Sequence, residues 1–114
     1  MKHIDIAYII GSPSALTQEQ GDQVYFEIID SFKKSEPITL DFSNVESMIS
    51  PFLNNAIGKL YENYNSDQIR SMLKMEHFPP EKNSTLNIVI SNAKKYYADK
   101  ENFEKAVKDV IDNA

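Results

Sequence analysis

Residues 38–53 read ITLDFSNVESMISPFL, and this segment carries the strongest structural signals in the chain. Its first five residues alternate in polarity, because Thr39 and Asp41 separate three apolar residues, Ile38, Leu40 and Phe42. A period of two is typical of a strand with one buried face. A strand covered on both faces would be apolar throughout. The alternation therefore predicts a β-sheet with helices packed mainly on one face.

A loop and a helix are predicted directly after this strand. Ser43–Asn44 favour a turn, and Ser47 to Ser50 are predicted to form a loop. Ser50–Pro51 is a strong helix start, because serine caps helix N-termini and proline is tolerated at the first helical position. The helix is predicted to reach about residue 64. Its apolar stripe consists of Leu53, Ala56, Ile57, Leu60, Tyr61 and Tyr64.

The N-terminal third of the chain predicts one strand and one helix. Residues 3–10 alternate in polarity and predict a strand, with an apolar side formed by Ile4, Ile6, Tyr8 and Ile10. Thr17 and Gln20 have the spacing of a capping box. Apolar residues at helical spacing then predict a helix over residues 17–34. Gly21 is the weak point of this helix, since glycine costs ~1 kcal/mol relative to alanine.

The remainder of the chain predicts further helices and one ambiguous segment. Ser66–Asp67 can cap a short helix that ends near Arg70 or Ser71. Residues 72–78 fit either a third strand or the tail of that helix. Two more helices, split near Asp99, are predicted from two apolar stripes. The first stripe consists of Leu86, Val89, Ile90, Ala93, Tyr96 and Tyr97, and the second of Phe103, Ala106, Val107, Val110 and Ile111. This order of elements predicts a single α/β domain over residues 1–114.

Composition restricts the classes of function. The 114 residues have a mass of 13.0 kDa, which suits one domain. Seventeen acidic residues against twelve basic ones give a net charge of −5, and no basic patch is found, so we expect no nucleic-acid binding. No apolar run is long enough to span a membrane, no signal peptide is recognised, and cysteine is absent. These features predict a cytoplasmic domain without membrane attachment.

No arrangement of residues points to catalysis or to cofactor binding. The glycines lack the spacing of a phosphate-binding loop, and the sequence has no nucleophile elbow. The pairs His3 with Asp5 and Glu76 with His77 are weak metal candidates. His3 and Asp5 would share one face of a strand, whereas Glu76 and His77 point to opposite faces. We therefore expect a protein that is not an enzyme and that binds no metal and no cofactor.

Residues 38–61 resemble the core of STAS domains, a family that includes anti-sigma-factor antagonists and the cytoplasmic tails of sulfate transporters. More specifically, LDFSNVESMISPFLNNAIGKLY resembles a STAS-like bacterial family of unknown function. The resemblance implies a mixed sheet of four or five strands with helices on one face. It also implies a regulatory role based on binding to another protein.

The resemblance further implies a serine phosphoswitch, from which this chain departs. In the anti-sigma-factor antagonists an Asp-Ser-Ser-Gly motif opens the helix, and its second serine is phosphorylated. Here Ile49 takes the place of the aspartate and Ser50 that of the first serine. Pro51 replaces the phosphorylated serine, and proline has no hydroxyl group. The candidate phosphorylation sites that are left are Ser50 and Ser47.

The leading functional hypothesis is a non-enzymatic module that binds a protein in a regulatory circuit. The resemblance points to a histidine-kinase-like ATPase or another signalling protein as the partner. The candidate binding residues, for a partner or an anion, are Ser43, Asn44, Ser47, Ser50, Asn54 and Asn55. An alternative is a small-anion or nucleotide site at the helix N-terminus, Ser50 to Phe52. A homodimer formed through the open side of the sheet is a further hypothesis.

Overall fold

The computed structural model describes the backbone of residues 2–112 and the side chains of residues 2–98. The strands are β1 (Lys2–Asp5), β2 (Ser14–Ala15), β3 (Ile38–Asp41), β4 (Ser47–Met48) and β5 (Leu73–Glu76). The α-helices are α1 (Ile6–Ile10), α2 (Gln18–Lys33), α3 (Ser50–Ala56), α4 (Ser66–Met72) and α5 (Asn83–Asp112), and two 3₁₀-helices cover Gly58–Glu62 and Pro80–Lys82. The predicted α/β class is confirmed.

The strands form two small parallel sheets. The larger sheet has the order β1-β3-β5, and the smaller one pairs β2 with β4. The resemblance implied one mixed sheet of four or five strands. The described residues instead form one sheet of three strands and one of two, and each of their strand pairs is parallel. Helices connect β1 to β3 and β3 to β5, and such crossovers return the chain in its original direction.

The two faces of the larger sheet differ in polarity. Ile4, Leu40 and Met75 are in register on the core face, whereas Asp5, Asp41 and Glu76 are in register on the opposite face. The hydrophobic core lies between this core face and the helices. The residues that α2 and α3 contribute to it are fully or almost fully buried: Val24, Ile28, Phe32, Phe52, Leu53 and Ala56. The predicted packing of helices on one face therefore agrees with the structure.

Thr39 is the exception on the polar face, since it is only 2% exposed. His3 Nε2 on β1 lies 3.7 Å from Glu76 Oε2 on β5, and a contact between the outer strands has to cross the central strand. These two side chains therefore approach each other over the face of the sheet to which Thr39 belongs. The alternation predicted this face as partly open, and its own side chains cover part of it.

The prediction of one strand over residues 3–10 is wrong, because β1 ends at Asp5 and a helix follows. The Asp5 side chain accepts a hydrogen bond from the Tyr8 N–H at 3.2 Å and so caps α1. Ile6 and Ile10 are both buried, and their spacing of four fits one face of a helix as well as one face of a strand. Tyr8 is 83% exposed, which a buried strand face would not allow.

The helix predicted over residues 17–34 is confirmed as α2, and its capping box joins Thr17 and Gln20. The helix predicted from Ser50 to residue 64 is divided into α3 and the 3₁₀-helix that begins at Gly58. Glycine has a low α-helical propensity, and the break lies at this residue.

The strand alternative for residues 72–78 is correct. The preceding helix is capped by Asn65 rather than by Ser66–Asp67, because the Asn65 side chain accepts from the Gln68 N–H.

The helices predicted on either side of Asp99 are one continuous helix, α5, in which neither glycine nor proline occurs. The stripe predicted from Phe103 onward lies outside the described side chains. Among the described residues, no helix combines the length and the apolar character required to cross a bilayer.

Candidate functional site

The turn after β3 is held from two sides. The backbone N–H of Ser43 donates to Asp41 Oδ1 at 2.9 Å, and Asn44 Nδ2 donates to Asp5 Oδ2 at 2.7 Å. The second bond joins the turn to the end of the neighbouring strand β1. Ser43 and Asn44 are themselves exposed. The predicted turn is confirmed, and these two candidate site residues lie on a fixed surface at the carboxyl end of the sheet.

The segment predicted as a loop over Ser47 to Ser50 is instead the short strand β4 followed at once by α3. Ser47 pairs with Ser14 of β2, and the Ile49 N–H donates to the Ala15 carbonyl at 3.2 Å. This pairing keeps the backbone extended up to Ile49, whose φ and ψ are −129° and 168°. Ile49 is consequently the N-cap residue of α3.

Ser50 does not cap α3, contrary to the prediction. It is the first residue of the helix, and the N-cap residue Ile49 has no side-chain acceptor. The helix does begin where the sequence predicted, with Pro51 in its first turn. Ser47 and Ser50 are both exposed, so their hydroxyl groups are accessible on either side of Ile49.

Two large apolar side chains are exposed next to these serines. Leu16 and Ile49 are each 42% exposed. They follow Ala15 and Met48, which are partners in register, so they lie side by side where the β2–β4 pair ends. We call these two residues the junction patch. Sequence reasoning missed Leu16, because its neighbour in space is 33 positions further along the chain.

Asn54 and Asn55 differ in their surroundings. Asn54 is exposed. Asn55 Nδ2 donates to Asp22 Oδ1 at 3.0 Å and to the Gln18 carbonyl at 3.3 Å, so it links α3 to α2. Asp22 also accepts from Lys59 Nζ at 2.6 Å, and this bond, followed by the one from Asn55, lowers the pKa of Asp22.

Asp41 contacts both Ser43 and His77 at this end of the sheet. The backbone N–H of Ser43 is the main cause that lowers the pKa of Asp41, and the Ser43 hydroxyl and His77 lower it further. His77 Nδ1 lies 3.0 Å from Asp41 Oδ1. Asp41 therefore holds the turn that follows β3.

The contact between His77 and Asp41 was not predicted, although both residues were considered. His77 has a φ of 57°, so the backbone leaves the strand there and the alternation of side chains no longer applies. In the described part of the chain, no group of three or more His, Cys, Asp or Glu side chains is arranged to hold a metal ion.

A groove of about 770 Å³ lies elsewhere, between the 3₁₀-helix Gly58–Glu62 and α5. Its lining includes Tyr61, Tyr64, Lys94 and Tyr97. Burial raises the pKa of Tyr61 and of Tyr97, and Lys94 Nζ is 5.6 Å from the centre of the Tyr61 ring. The sequence assigned these tyrosines to apolar core stripes; they are half-buried and line an open groove.

The comparisons with known proteins bear on the segment that includes the junction patch residue Ile49. A family model described as a STAS-like domain of unknown function (DUF4325) matches residues 20–82. The match extends from the first turn of α2 to the 3₁₀-helix that precedes α5 and covers more than half of the 114 residues. Neither the curated proteins nor the solved structures give a match.

Proposed function

The chain belongs to the family of STAS-like domains of unknown function, and from this membership we propose that it is a non-enzymatic module that binds another protein of a regulatory circuit. The junction patch is the observation that carries the proposal. Leu16 and Ile49 are large apolar side chains, yet each is 42% exposed on backbone that strand pairing holds in place. Exposed apolar side chains with a polar rim are a feature of protein-binding surfaces.

The surroundings of the patch favour a partner with basic residues. Neither residues 3–32 nor residues 35–58 contain a lysine or an arginine. Asp5, Asp41 and Glu46 lie in these ranges, at the carboxyl end of the sheet or in the segment that follows. Acidic groups on segments without lysine or arginine attract a positively charged partner and increase its rate of association. The partner is therefore proposed to be a signalling protein with a basic and apolar docking surface.

Ser47 and Ser50 are the residues through which this interaction could be regulated. Both hydroxyl groups are exposed beside Ile49. A phosphate on either serine would add close to two negative charges next to the apolar contact. Because Pro51 has no hydroxyl group, regulation by phosphorylation in this chain has to use a different residue from that of the anti-sigma-factor antagonists it resembles.

An anion site at the N-terminus of α3 has less support. The helix has seven residues, and Pro51 in its first turn has no N–H group. The Leu53 N–H already donates to the Ile49 carbonyl at 3.3 Å. Few donors are left for a phosphate or a nucleotide, so protein binding is the function we propose.

The proposal is tested by affinity capture from the source cells with the full chain and three variants. Leu16→Asp and Ile49→Asp each place a charge in the junction patch. Ile88→Asp is the matched control, because Ile88 is 60% exposed on α5, outside the patch. We expect at least one protein that the wild type and the control retain and that both patch variants lose.

The protein so identified is then purified and titrated against the same four chains by calorimetry. Binding should weaken at least tenfold in each patch variant and should also weaken as the salt concentration rises. If every captured protein binds the patch variants and the wild type equally, the proposal is wrong. Circular dichroism confirms that each variant is folded.

A further inference from the structure

The strand β5 lies at an edge of the larger sheet, and its apolar side chains are incompletely covered. Within the described residues, β3 is its one neighbour. Ile38 and Leu40 of β3 are fully buried, whereas their partners in register, Leu73 and Met75, are only partly buried. The hydrophobic core therefore continues to this edge of the sheet and is open there.

The backbone groups that face outward from this edge are centred on Met75. The Phe42 N–H donates to the Glu76 carbonyl at 3.0 Å, so the backbone groups of Glu76 face β3. Because successive residues of a strand direct these groups to opposite sides, Met75 directs its N–H and its carbonyl away from the sheet. The Leu73 N–H donates to the Ile69 carbonyl of α4, which leaves the Leu73 carbonyl as the second outward group.

We propose that a second copy of the chain binds this edge, with the two β5 strands antiparallel and a two-fold axis at Met75. Each Met75 N–H then donates to the Met75 carbonyl of the other copy, as in a hydrogen-bonded antiparallel pair. The two three-stranded sheets become one sheet of six strands. Leu73 and Met75 of both copies meet on the core face, so the incompletely covered edge of each core is closed.

The charges on the opposite face select this register. With the axis at Met75, Lys74 of each copy lies opposite Glu76 of the other, and the strand is complementary to itself. A shift by two residues would place either the two Lys74 side chains or the two Glu76 side chains opposite each other, which is destabilising. A shift by one residue would join the core face of one copy to the polar face of the other.

Both charged side chains are available for this contact. Lys74 is 67% and Glu76 35% exposed, and the two lie 3.6 Å apart within one chain. Glu76 also lies 3.7 Å from His3 on the polar face. In the dimer, the Lys74 side chain lies near Glu76 of its own chain and opposite Glu76 of the other copy. Positive and negative side chains therefore alternate across the two-fold axis.

A charge exchange between variants tests the proposal. Sedimentation equilibrium of the wild type should give a reversible monomer–dimer equilibrium, because three paired residues in each strand bury less area than a standard interface. Lys74→Glu and Glu76→Lys should each be monomeric at concentrations where the wild type is dimeric, since each places like charges opposite one another. An equimolar mixture of the two variants should form heterodimers. Lys95→Glu, an exposed change on α5, is the matched control and should leave the dimer intact.

Hydrogen exchange of the Met75 amide gives a second measurement on the wild type, independent of whether the variants fold. Its exchange should slow as the protein concentration rises. A wild type that stays monomeric at millimolar concentration overturns the proposal, and so does exchange at Met75 that is independent of concentration. Folded single variants that dimerise like the wild type, or that fail to associate when mixed, also overturn it.

Discussion

Gly21 of α2 packs directly against the backbone of Phe52 in α3. A β-carbon added to Gly21 would lie 2.5 Å from the Phe52 carbonyl oxygen and 2.8 Å from the Asn55 β-carbon. Both distances are shorter than van der Waals contact allows, and the nearer atom belongs to a helix backbone that cannot rotate away. The close approach of α2 and α3 thus depends on glycine at this position.

We predict that Gly21→Ala destabilises the protein by about 2 kcal/mol. The helix propensity of alanine would favour the change by ~1 kcal/mol, but separating two packed helices costs more than that. Urea denaturation measures the free energy of unfolding. Gly58→Ala is the control, because its added β-carbon would lie 3.6 Å from the nearest atoms, an ordinary contact. Equal stability of the two variants would contradict the assigned role of Gly21.

Gly21 also illustrates what the sequence can and cannot predict. The capping box at Thr17 and the apolar periodicity of α2 are local signals, and they placed that helix correctly. By the same local signals Gly21 is a weak point of the helix, since its partner Phe52 is 31 positions away in sequence. Propensity describes one helix at a time, whereas the requirement for glycine arises from the second helix.

The N-terminal strand was mispredicted for a different reason. Ile4, Ile6 and Ile10 satisfy the period of two, but Ile6 and Ile10 also satisfy the period of a helix, so polarity alone does not separate the two structures. The residues that decide are Asp5, which caps α1, and Gly11, whose φ of 69° ends it. At the candidate site, the turn and the start of α3 were predictable, while the pairing of β4 with β2 required contacts between distant segments.

Asp5 stabilises both α1 and the turn that contains Asn44, and substitutions at Asp5 and Asn44 measure the two contributions separately. Asp5→Ala removes the cap of α1 and the acceptor for Asn44, so we expect a loss of about 1–2 kcal/mol in the free energy of unfolding. Asn44→Ala removes only the second bond and should cost about 1 kcal/mol or less. Asp5→Asn retains one oxygen for the cap but has no second oxygen to accept from Asn44, so its loss should match that of Asn44→Ala. A larger loss in Asn44→Ala than in Asp5→Ala would contradict this division.

Asn54 and Asn55 are adjacent, but only Asn55 bonds to another helix. Asn55→Ala loses the hydrogen bonds to Asp22 and to the Gln18 carbonyl and should lower the free energy of unfolding by about 1 kcal/mol. Asn54→Ala changes an exposed side chain and should be neutral within about 0.5 kcal/mol. Chemical denaturation of both variants at the same pH makes the comparison. Equal losses would argue against the link between α2 and α3.

Ser31 offers a substitution that should stabilise the protein. Its side-chain oxygen is buried without a hydrogen-bond partner in the part of the chain that the structure describes. An unsatisfied buried hydroxyl group is unfavourable, and alanine has the higher helix propensity. Ser31→Ala should raise the free energy of unfolding by about 1 kcal/mol. A destabilised variant would indicate that the hydroxyl group has a partner.

The stability of the protein should fall at acidic pH in part through Asp41. Its pKa in the folded chain lies below the ordinary value of 3.8, chiefly because the Ser43 N–H donates to the carboxylate. As the pH falls, the unfolded chain takes up the proton first. The contribution of Asp41 is therefore complete above the ordinary pKa and is lost as the pH falls through the lower folded pKa. Asp41→Asn should show a shallower acid limb in denaturation curves recorded between about pH 5 and about pH 2.

NMR titration of the Asp41 carboxyl group tests the cause directly. Ser43→Ala removes the hydroxyl group but keeps the backbone N–H that contributes most, so the pKa should rise while staying below 3.8. Ser47→Ala, a change on the same surface without a bond to Asp41, should leave the midpoint unchanged. A midpoint at or above the ordinary value in the wild type would mean that the Ser43 N–H does not hold the carboxylate, and the rigid turn that positions Asn44 would lose its support.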